Sequence, residues 1–194
     1  MKNFNDDYKK QGCYWGLEPS KYIKLLLDFK NNGNVLDLGV GEGRNALFLA
    51  NSGFNVTGID TSKEGIDKFK ELAKKNNLKI NAILSDIMDF EFNDSYDIII
   101  SNATLHFLKK ELIDVLINRM KNFTNKEGIN FITAFSEENP NKNFAYLFKK
   151  DELKDYYRDW EILKYKEFIT PLEQHSDGEP HKHGVVVIIA RKIK

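Results

Sequence analysis

Short apolar runs and amphipathic segments alternate along most of the chain. The runs have strand length and are rich in Val, Ile and Leu. They predict strands at residues 34–38, 54–59, 79–84, 96–101 and 129–135. The run at 96–101 is continuously apolar between polar neighbours, as expected for a strand that is covered on both faces.

The segments between these runs carry apolar residues at helical spacing. A first helix is predicted from Tyr22 to Phe29 and is ended by Asn31–Gly33. Helical composition follows at 46–50, residues 61–64 have the composition of a helix start, and another helix runs from Leu112 to Phe123 before a turn at 125–128. Strands that are joined through helices must run parallel.

The C-terminal part of the chain departs from this alternation. A helix at 151–157 is followed by strands at 160–168 and 185–190 with no helix between the two strands. Without a crossover helix, these strands can pair as an antiparallel hairpin. The pattern predicts an α/β fold: a doubly wound, mostly parallel sheet with an antiparallel element at one edge.

Composition limits the class of protein. The chain has 194 residues, of which 41% are hydrophobic, and we expect one domain with a sizeable core. Lys plus Arg equal Asp plus Glu at 29 each, so no net charge favours nucleic acid. Cys13 is the single cysteine, which excludes an internal disulfide.

No targeting segment is evident in the sequence. The N-terminus lacks the apolar core of a signal peptide, and no apolar run approaches the roughly 20 residues that span a bilayer. We therefore expect a cytoplasmic protein that does not associate with membranes. The sequence does not distinguish a monomer from a homodimer.

The stretch VLDLGVGEGRN, residues 35–45, carries the most informative chemistry. Its glycines Gly39, Gly41 and Gly43 lie in the turn between a predicted strand and a predicted helix, where they let the backbone approach a ligand closely. Asp60 ends the next strand, where a carboxylate can accept both hydroxyls of a ribose. These features predict a nucleoside-containing cofactor and are also compatible with NAD.

The spacing of the glycines distinguishes NAD from a nucleoside cofactor without a pyrophosphate. A dinucleotide fingerprint is Gly-x-Gly-x-x-Gly and places helix amides against a pyrophosphate. Here the glycines follow Gly-x-Gly-x-Gly, and Asp37 lies two residues before them. A carboxylate at this place would repel a pyrophosphate but suits the positive sulfonium and amino groups of S-adenosylmethionine.

The residues from Asp37 to Gly43 resemble motif I of the class I S-adenosylmethionine-dependent methyltransferases. The resemblance extends to the acid at the end of the second strand (Asp60), the loop Ser85–Ile87, and the segment Ser101–Leu105 after the fourth strand. It implies a seven-stranded, Rossmann-like sheet of order 3-2-1-4-5-7-6 with strand 7 antiparallel. The Gly43–Asn45, Tyr14–Gly16 and Pro180–Gly184 segments resemble the tellurite-resistance methyltransferase branch.

The resemblance also implies the cofactor contacts. Residues 1–20 would form an N-terminal lid segment over a core of residues 21–194, and an aromatic lid can attract a sulfonium by cation–π interaction. The expected cofactor-binding residues are Asp37, Gly39, Gly41, Gly43, Arg44, Asp60, Thr61, Asp86, Ile87, Ser101, Asn102, Tyr14 and Trp15. For Arg44, an ion pair that shapes the loop is an equal alternative to substrate contact.

Three histidines are candidates for contact with the methyl acceptor. They are His106 after the fourth strand, and His181 and His183 before the last one; His175 and Arg191 could assist them. The alternatives are a polar hairpin loop for the C-terminal histidines and a backbone hydrogen bond for His106. No carboxylate or cysteine completes a metal-binding spacing, so no metal is expected.

The predicted function is S-adenosylmethionine-dependent methyl transfer to a small acceptor, such as a chalcogen oxyanion (tellurite or selenite) or a thiol. The segment Ser101–Thr104 lacks the Asn/Asp-Pro-Pro-aromatic run of enzymes that methylate exocyclic amines of bases. Two alternatives stay open: a cofactor-binding regulator without turnover, and an NAD-binding oxidoreductase.

Overall fold

The computed structural model describes residues 4–174 and 179–193. Its strands are β1 (Asn34–Leu38), β2 (Asn55–Asp60), β3 (Ile80–Leu84), β4 (Tyr96–Asn102), β5 (Thr124–Phe135), β6 (Glu161–Ile169) and β7 (Gly184–Arg191). Its α-helices are α1 (Asn5–Tyr8), α2 (Arg44–Asn51), α3 (Lys63–Lys75), α4 (Lys110–Asn122) and α5 (Glu152–Asp155). Two 3₁₀ helices cover Ile23–Asp28 and Leu105–Phe107.

The strands form a seven-stranded sheet of order β3-β2-β1-β4-β5-β7-β6. β1 pairs with β2, β2 with β3, and β4 with β5 in parallel. β7 pairs in antiparallel register with both β5 and β6. The predicted fold class, strand order and C-terminal hairpin are therefore confirmed.

The turn predicted at 125–128 is wrong, because those residues belong to β5. The register shifts between Tyr96 and Ile98, which pair with Thr124 and Ile129 respectively. β5 thus contains extra residues opposite Asp97, and Glu127 adopts a left-handed φ of 60° there. The polar residues at 125–128 form a bulge within the strand. Because bulges and turns use the same residue types, the sequence pattern did not distinguish them.

Three helical segments also differ from the sequence prediction. The first predicted helix is a 3₁₀ helix, Ile23–Asp28, and the predicted helix at 151–157 contains a single α-helical turn, α5. The short α1 before them was not predicted. Such short segments depend on the packing of their surroundings more than on local propensity.

Backbone contacts divide the chain into two compact units, with the boundary between Glu91 and Phe92. The N-terminal unit contains β1–β3, and its core includes Leu36, Ile59 and Phe69. The C-terminal unit contains β4–β7, and its core includes Ile99, Phe131 and Ile188. The expectation of one domain with a lid at 1–20 stays a prediction.

Within the described residues, no helix has the length and apolar character that crossing a membrane requires.

Candidate active site

In the N-terminal unit, the glycine turn joins β1 to α2. Gly39, Gly41 and Gly43 have φ values of 83°, 55° and 88°, in a region of backbone conformation that residues other than glycine rarely adopt. The amides of Gly39 and Val40 both donate to the carbonyl of Ile59, at 2.9 Å each. The predicted strand-to-helix turn is present, and it is anchored to the end of β2.

Asp60 fastens this turn through its side chain. One carboxylate oxygen accepts the amide of Gly41 and the other accepts the amide of Ser62, both at 2.8 Å. Burial nevertheless raises the pKa of the Asp60 carboxyl, although hydrogen bonds from the backbone of Ser62 and Gly41 oppose the shift. Each carboxylate oxygen can accept more than one hydrogen bond, so Asp60 retains capacity for a ligand hydroxyl.

Asp37 lies in β1 with only 2% of its surface exposed. Burial and, to a smaller extent, the nearby Asp60 carboxylate raise the Asp37 pKa to about 7, while Arg44 lowers it. Two carboxylates close together in a buried site favour a cation. This charge arrangement fits the amino and sulfonium groups of S-adenosylmethionine and opposes a pyrophosphate.

The loop after β3 contains the predicted adenine-binding residues Asp86 and Ile87. A carboxylate oxygen of Asp86 accepts the amide of Met88 at 2.9 Å, which closes a tight turn. Ile87 is buried within the same unit. The amide of Ser85 donates to the Asp60 carbonyl at 3.0 Å, so this loop begins beside the end of β2.

The N-terminal segment, residues 4–20, packs on the glycine turn. The buried Glu42 carboxylate accepts the amide of Tyr14 at 2.7 Å and forms an ion pair of 2.9 Å with Lys68. Lys68 also donates to the carbonyls of Lys10 and Gly12, at 2.8 and 2.6 Å. We call Glu42 and Lys68 the clasp, because together they hold three backbone groups of the segment.

Arg44 also holds this segment. Its guanidinium donates to the carbonyl of Trp15 at 3.0 Å. This contact is a hydrogen bond to the backbone, and the two predicted roles of Arg44, a loop-shaping ion pair and substrate contact, stay predictions. Cys13 is not activated, because burial and the Glu42 carboxylate raise the pKa of its thiol.

In the C-terminal unit, the end of β4 is held by β5. The hydroxyl of Thr133 donates to the Asn102 side-chain oxygen at 3.1 Å and accepts the amide of Ala103 at 3.0 Å. Ala103 adopts φ of 56°, a strained conformation for alanine that is typical of functional loops. Ser101 is fully buried, and its hydroxyl has no hydrogen-bond partner in the part of the chain that is described.

His106 follows in the second 3₁₀ helix with 1% of its surface exposed. Its Nδ1 accepts the backbone amide of Phe135 at 3.3 Å. Burial, assisted by nearby His183, lowers the His106 pKa to about 3. The ring is therefore neutral at physiological pH with its proton on Nε2, where it can donate a hydrogen bond but cannot accept a proton.

Aromatic rings connect His106 to the C-terminal histidines. Phe135 stacks on His106 at 3.8 Å and on His183 at 4.5 Å, with interplanar angles of 11° and 9°. Phe144 makes an edge-to-face contact with Phe135, with 4.8 Å between the ring centroids. His181 makes the same kind of contact with His183, at 4.7 Å. We call His106, Phe135 and His183 the histidine stack.

The two C-terminal histidines differ in their surroundings. His183 is half-buried, and its amide donates to the Thr170 hydroxyl at 3.0 Å. His181 is exposed, and its Nδ1 lies 2.7 Å from the Glu179 carbonyl. His175 lies outside the described residues.

Arg191 does not join the histidine stack. It lies at the opposite end of β7 from Gly184, at least 20 Å away at about 3.3 Å per residue. Its guanidinium pairs there with Glu161 at 2.6 Å. In the described ranges, 4–174 and 179–193, no group of three or more His, Cys, Asp or Glu residues could hold a metal ion.

Comparison with known proteins places the chain in a family. The family model described as "Tellurite resistance protein TehB" matches residues 21–183. The chain belongs to the TehB family. A relative from Haemophilus influenzae, described as "Probable S-adenosyl-L-methionine-dependent methyltransferase TehB", is 37% identical over 81% of this chain and 57% of its own length. "Hemagglutinin 1" of Eikenella corrodens is 33% identical over 81% of this chain and 54% of its own length.

Solved structures support the same placement. The crystal structure of TehB from Haemophilus influenzae is similar with a TM-score of 0.81 and 32% identity, covering 97% of this chain and 65% of that one. A magnesium protoporphyrin IX methyltransferase from Synechocystis with bound S-adenosylmethionine shares the fold at a TM-score of 0.71 and 16% identity, over 97% and 93% of the two chains. The chain spans little more than half the length of the curated relatives that it matches.

Several site residues were missed by sequence reasoning. They are Tyr8, Lys68, Thr133, Phe135 and Phe144. Lys68 is one of five lysines in the amphipathic helix α3 and Phe135 ends an apolar strand, positions that ordinarily need no functional explanation. The short-range pattern DDY in residues 6–8 gives no indication that Tyr8 packs on a turn more than thirty residues later.

Proposed function

We propose that this TehB-family protein transfers a methyl group from S-adenosylmethionine to a small, soft nucleophile, with a thiolate or a chalcogen oxyanion (tellurite or selenite) as the acceptor classes. The observation that carries the proposal is the buried Asp37 beside Asp60, at a glycine turn whose three glycines are in the left-handed region. The names of the Haemophilus influenzae relatives support the same cofactor.

The residues of the N-terminal unit fit the cofactor by charge and shape. Asp37 and Asp60 offer negative charge to the amino and sulfonium groups, and the turn presents backbone at Gly39, its part-exposed glycine. Tyr14 and Trp15 are held against the same turn by the clasp and Arg44. An NAD-binding oxidoreductase is disfavoured, because the two buried carboxylates would face a pyrophosphate.

When bound, the cofactor supplies a methyl group on a sulfonium: the acceptor lone pair forms a bond to the methyl carbon, while the carbon–sulfur bond breaks and its electron pair stays on sulfur. The protein then contributes orientation and exclusion of water. A thiolate or oxyanion acceptor is already anionic and needs no general base. A neutral His106 that donates from Nε2, and His183 beside it, would suit such an acceptor.

The test is an assay of S-adenosylhomocysteine release with tellurite, selenite, small thiols and small amines as acceptors. We expect turnover with at least one anionic or thiol acceptor and none with amines. Turnover restricted to amines would contradict the acceptor class but not the cofactor.

Isothermal titration of the wild-type protein with S-adenosylmethionine, S-adenosylhomocysteine and NAD separates the rival functions. Binding of the first two, without turnover of any acceptor, would favour a cofactor-binding regulator. Tighter binding of NAD would refute the proposal.

A further inference from the structure

Tyr8 ends α1 and lies against the glycine turn. It is 5% exposed, and a Cβ built on Gly41 would lie 2.8 Å from its hydroxyl oxygen. A Cβ built on Gly65 would lie 3.0 Å from the Tyr8 ring. The phenol ring therefore packs between two glycines of the same unit, and its hydroxyl faces the bare backbone of Gly41.

The polar surroundings of this hydroxyl are specific. Burial and the Asp60 carboxylate raise the Tyr8 pKa well above its usual value, whereas a hydrogen bond with the Trp15 side chain lowers it. The indole of tryptophan can only donate, so the phenolic oxygen accepts from Trp15. The Tyr8 hydroxyl can then donate its own proton in a hydrogen bond to a ligand. The phenol is neutral at physiological pH, so this proton is present.

Tyr8 and Asp60 both lie at Gly41 and offer complementary hydrogen bonding. Asp60 accepts the amide of Gly41, and the Tyr8 hydroxyl covers the same residue. A sugar hydroxyl donates one hydrogen bond and accepts others. A ribose hydroxyl that donates to the Asp60 carboxylate could thus accept from the Tyr8 hydroxyl.

We propose that Tyr8 is a cofactor-binding residue whose hydroxyl donates to the ribose of S-adenosylmethionine, opposite the Asp60 carboxylate. This inference rests on the proposed function. It gives the N-terminal segment a direct contact with the nucleoside, in addition to its coverage of the glycine turn by Tyr14 and Trp15.

The test is isothermal titration of Tyr8→Phe with two probes, S-adenosylhomocysteine and 5′-methylthioadenosine. The second probe keeps the ribose and adenine but lacks the amino-acid part. We expect both dissociation constants to rise about fivefold, as the loss of one hydrogen bond of about 1 kcal/mol predicts. A loss confined to S-adenosylhomocysteine would assign Tyr8 to the amino-acid part and overturn the ribose contact.

Tyr96→Phe is the matched control, because Tyr96 is also a buried tyrosine but begins β4 in the other unit. It should leave both dissociation constants unchanged. A merely structural role for Tyr8 would lower the Tm of Tyr8→Phe without a change in the affinity of the folded protein. That result would also overturn the inference.

A double-mutant cycle with Asp60→Asn locates the contact. If Tyr8 and Asp60 meet the same ribose, the combined loss in affinity should be smaller than the product of the two single losses. Independent losses would contradict a shared ribose. Failure of the wild-type protein to bind either probe would instead contradict the proposed function, so the two failures are distinguishable.

Discussion

At the scale of single residues, Asp37 combines deep burial with a nearby like charge. Its pKa of about 7 means that its carboxyl is partly protonated near neutral pH. A cationic ligand stabilises the ionised form and lowers this pKa, so ligand binding and proton release are linked. The neighbouring groups that contribute to the shift are Asp60, which raises it, and Arg44, which lowers it.

We therefore expect the affinity for S-adenosylmethionine to fall as the pH drops below about 7, by up to tenfold per pH unit for one coupled proton. Isothermal titration in buffers of different ionisation enthalpy measures both the affinity and the protons released. Asp37→Asn should bind more weakly at high pH and lose most of the dependence. A wild-type affinity that is constant from about pH 5.5 to 8.5 would mean that no cation lies beside Asp37.

The histidine stack leads to a second prediction at this scale. His183→Ala and His181→Ala should both lower turnover and leave cofactor affinity nearly unchanged, the pattern expected of groups that contact only the acceptor. The larger loss, about 10- to 100-fold, is expected for His183, because its ring is stacked on Phe135 and so held in place.

His183→Phe is the control that separates chemistry from packing. Phenylalanine can keep the stack on Phe135 but has no ring nitrogen. If His183→Phe is as active as the wild-type protein with every acceptor, the nitrogens of His183 have no role in the reaction and the ring serves packing alone.

At the scale of elements, the N-terminal segment depends on two side chains of the glycine turn and α3. The Glu42–Lys68 ion pair is largely buried, and each partner also binds backbone groups of residues 10–14. Removing one partner would leave the other charge buried and uncompensated. The clasp therefore determines how firmly the segment covers the turn.

Lys68→Met should release residues 4–20 while the sheet stays folded. We expect faster amide exchange and faster proteolysis in this segment, and cofactor affinity lowered about tenfold because the segment must be ordered again on binding. Lys70→Met, on an exposed position of the same helix, is the matched control. Equal exchange rates in the two variants would show that the clasp does not hold the segment.

At the scale of the whole molecule, two buried groups make stability depend on pH in opposite directions. In the folded protein Asp37 keeps a proton that the unfolded carboxyl releases. Its contribution to the free energy of unfolding therefore falls as the pH rises from about 4 to 7. Folded His106 stays neutral while the unfolded imidazole is protonated. Its contribution therefore rises with pH from about 3 to 6.5.

The two slopes should largely cancel between about pH 4.5 and 6.5 in the wild-type protein. Asp37→Asn removes the falling slope, so the free energy of unfolding should rise with pH in that window. His106→Phe removes the rising slope and should give the opposite trend. Urea denaturation at several pH values measures all three, and parallel curves for the two variants would contradict the assigned ionisation states.

The sequence by itself determined the strand order through motif resemblance, the glycine turn, and the carboxylates Asp37 and Asp60. These features are local in the chain: an alternating apolar pattern sets the period of each element, and a glycine turn needs its residues in consecutive positions. The bulge in β5 and the short helices were missed, because pairing with neighbouring strands and packing decide them.

Tertiary structure alone decided which distant side chains meet. Tyr8 reaches Gly41, Lys68 reaches the carbonyls of residues 10 and 12, and Phe135 lies between His106 and His183. It also decided the protonation states, because the pKa of a carboxyl or imidazole depends on burial and on charges that are remote in sequence. Sequence patterns report what neighbours along the chain require, whereas these contacts and ionisation states arise only when the chain folds.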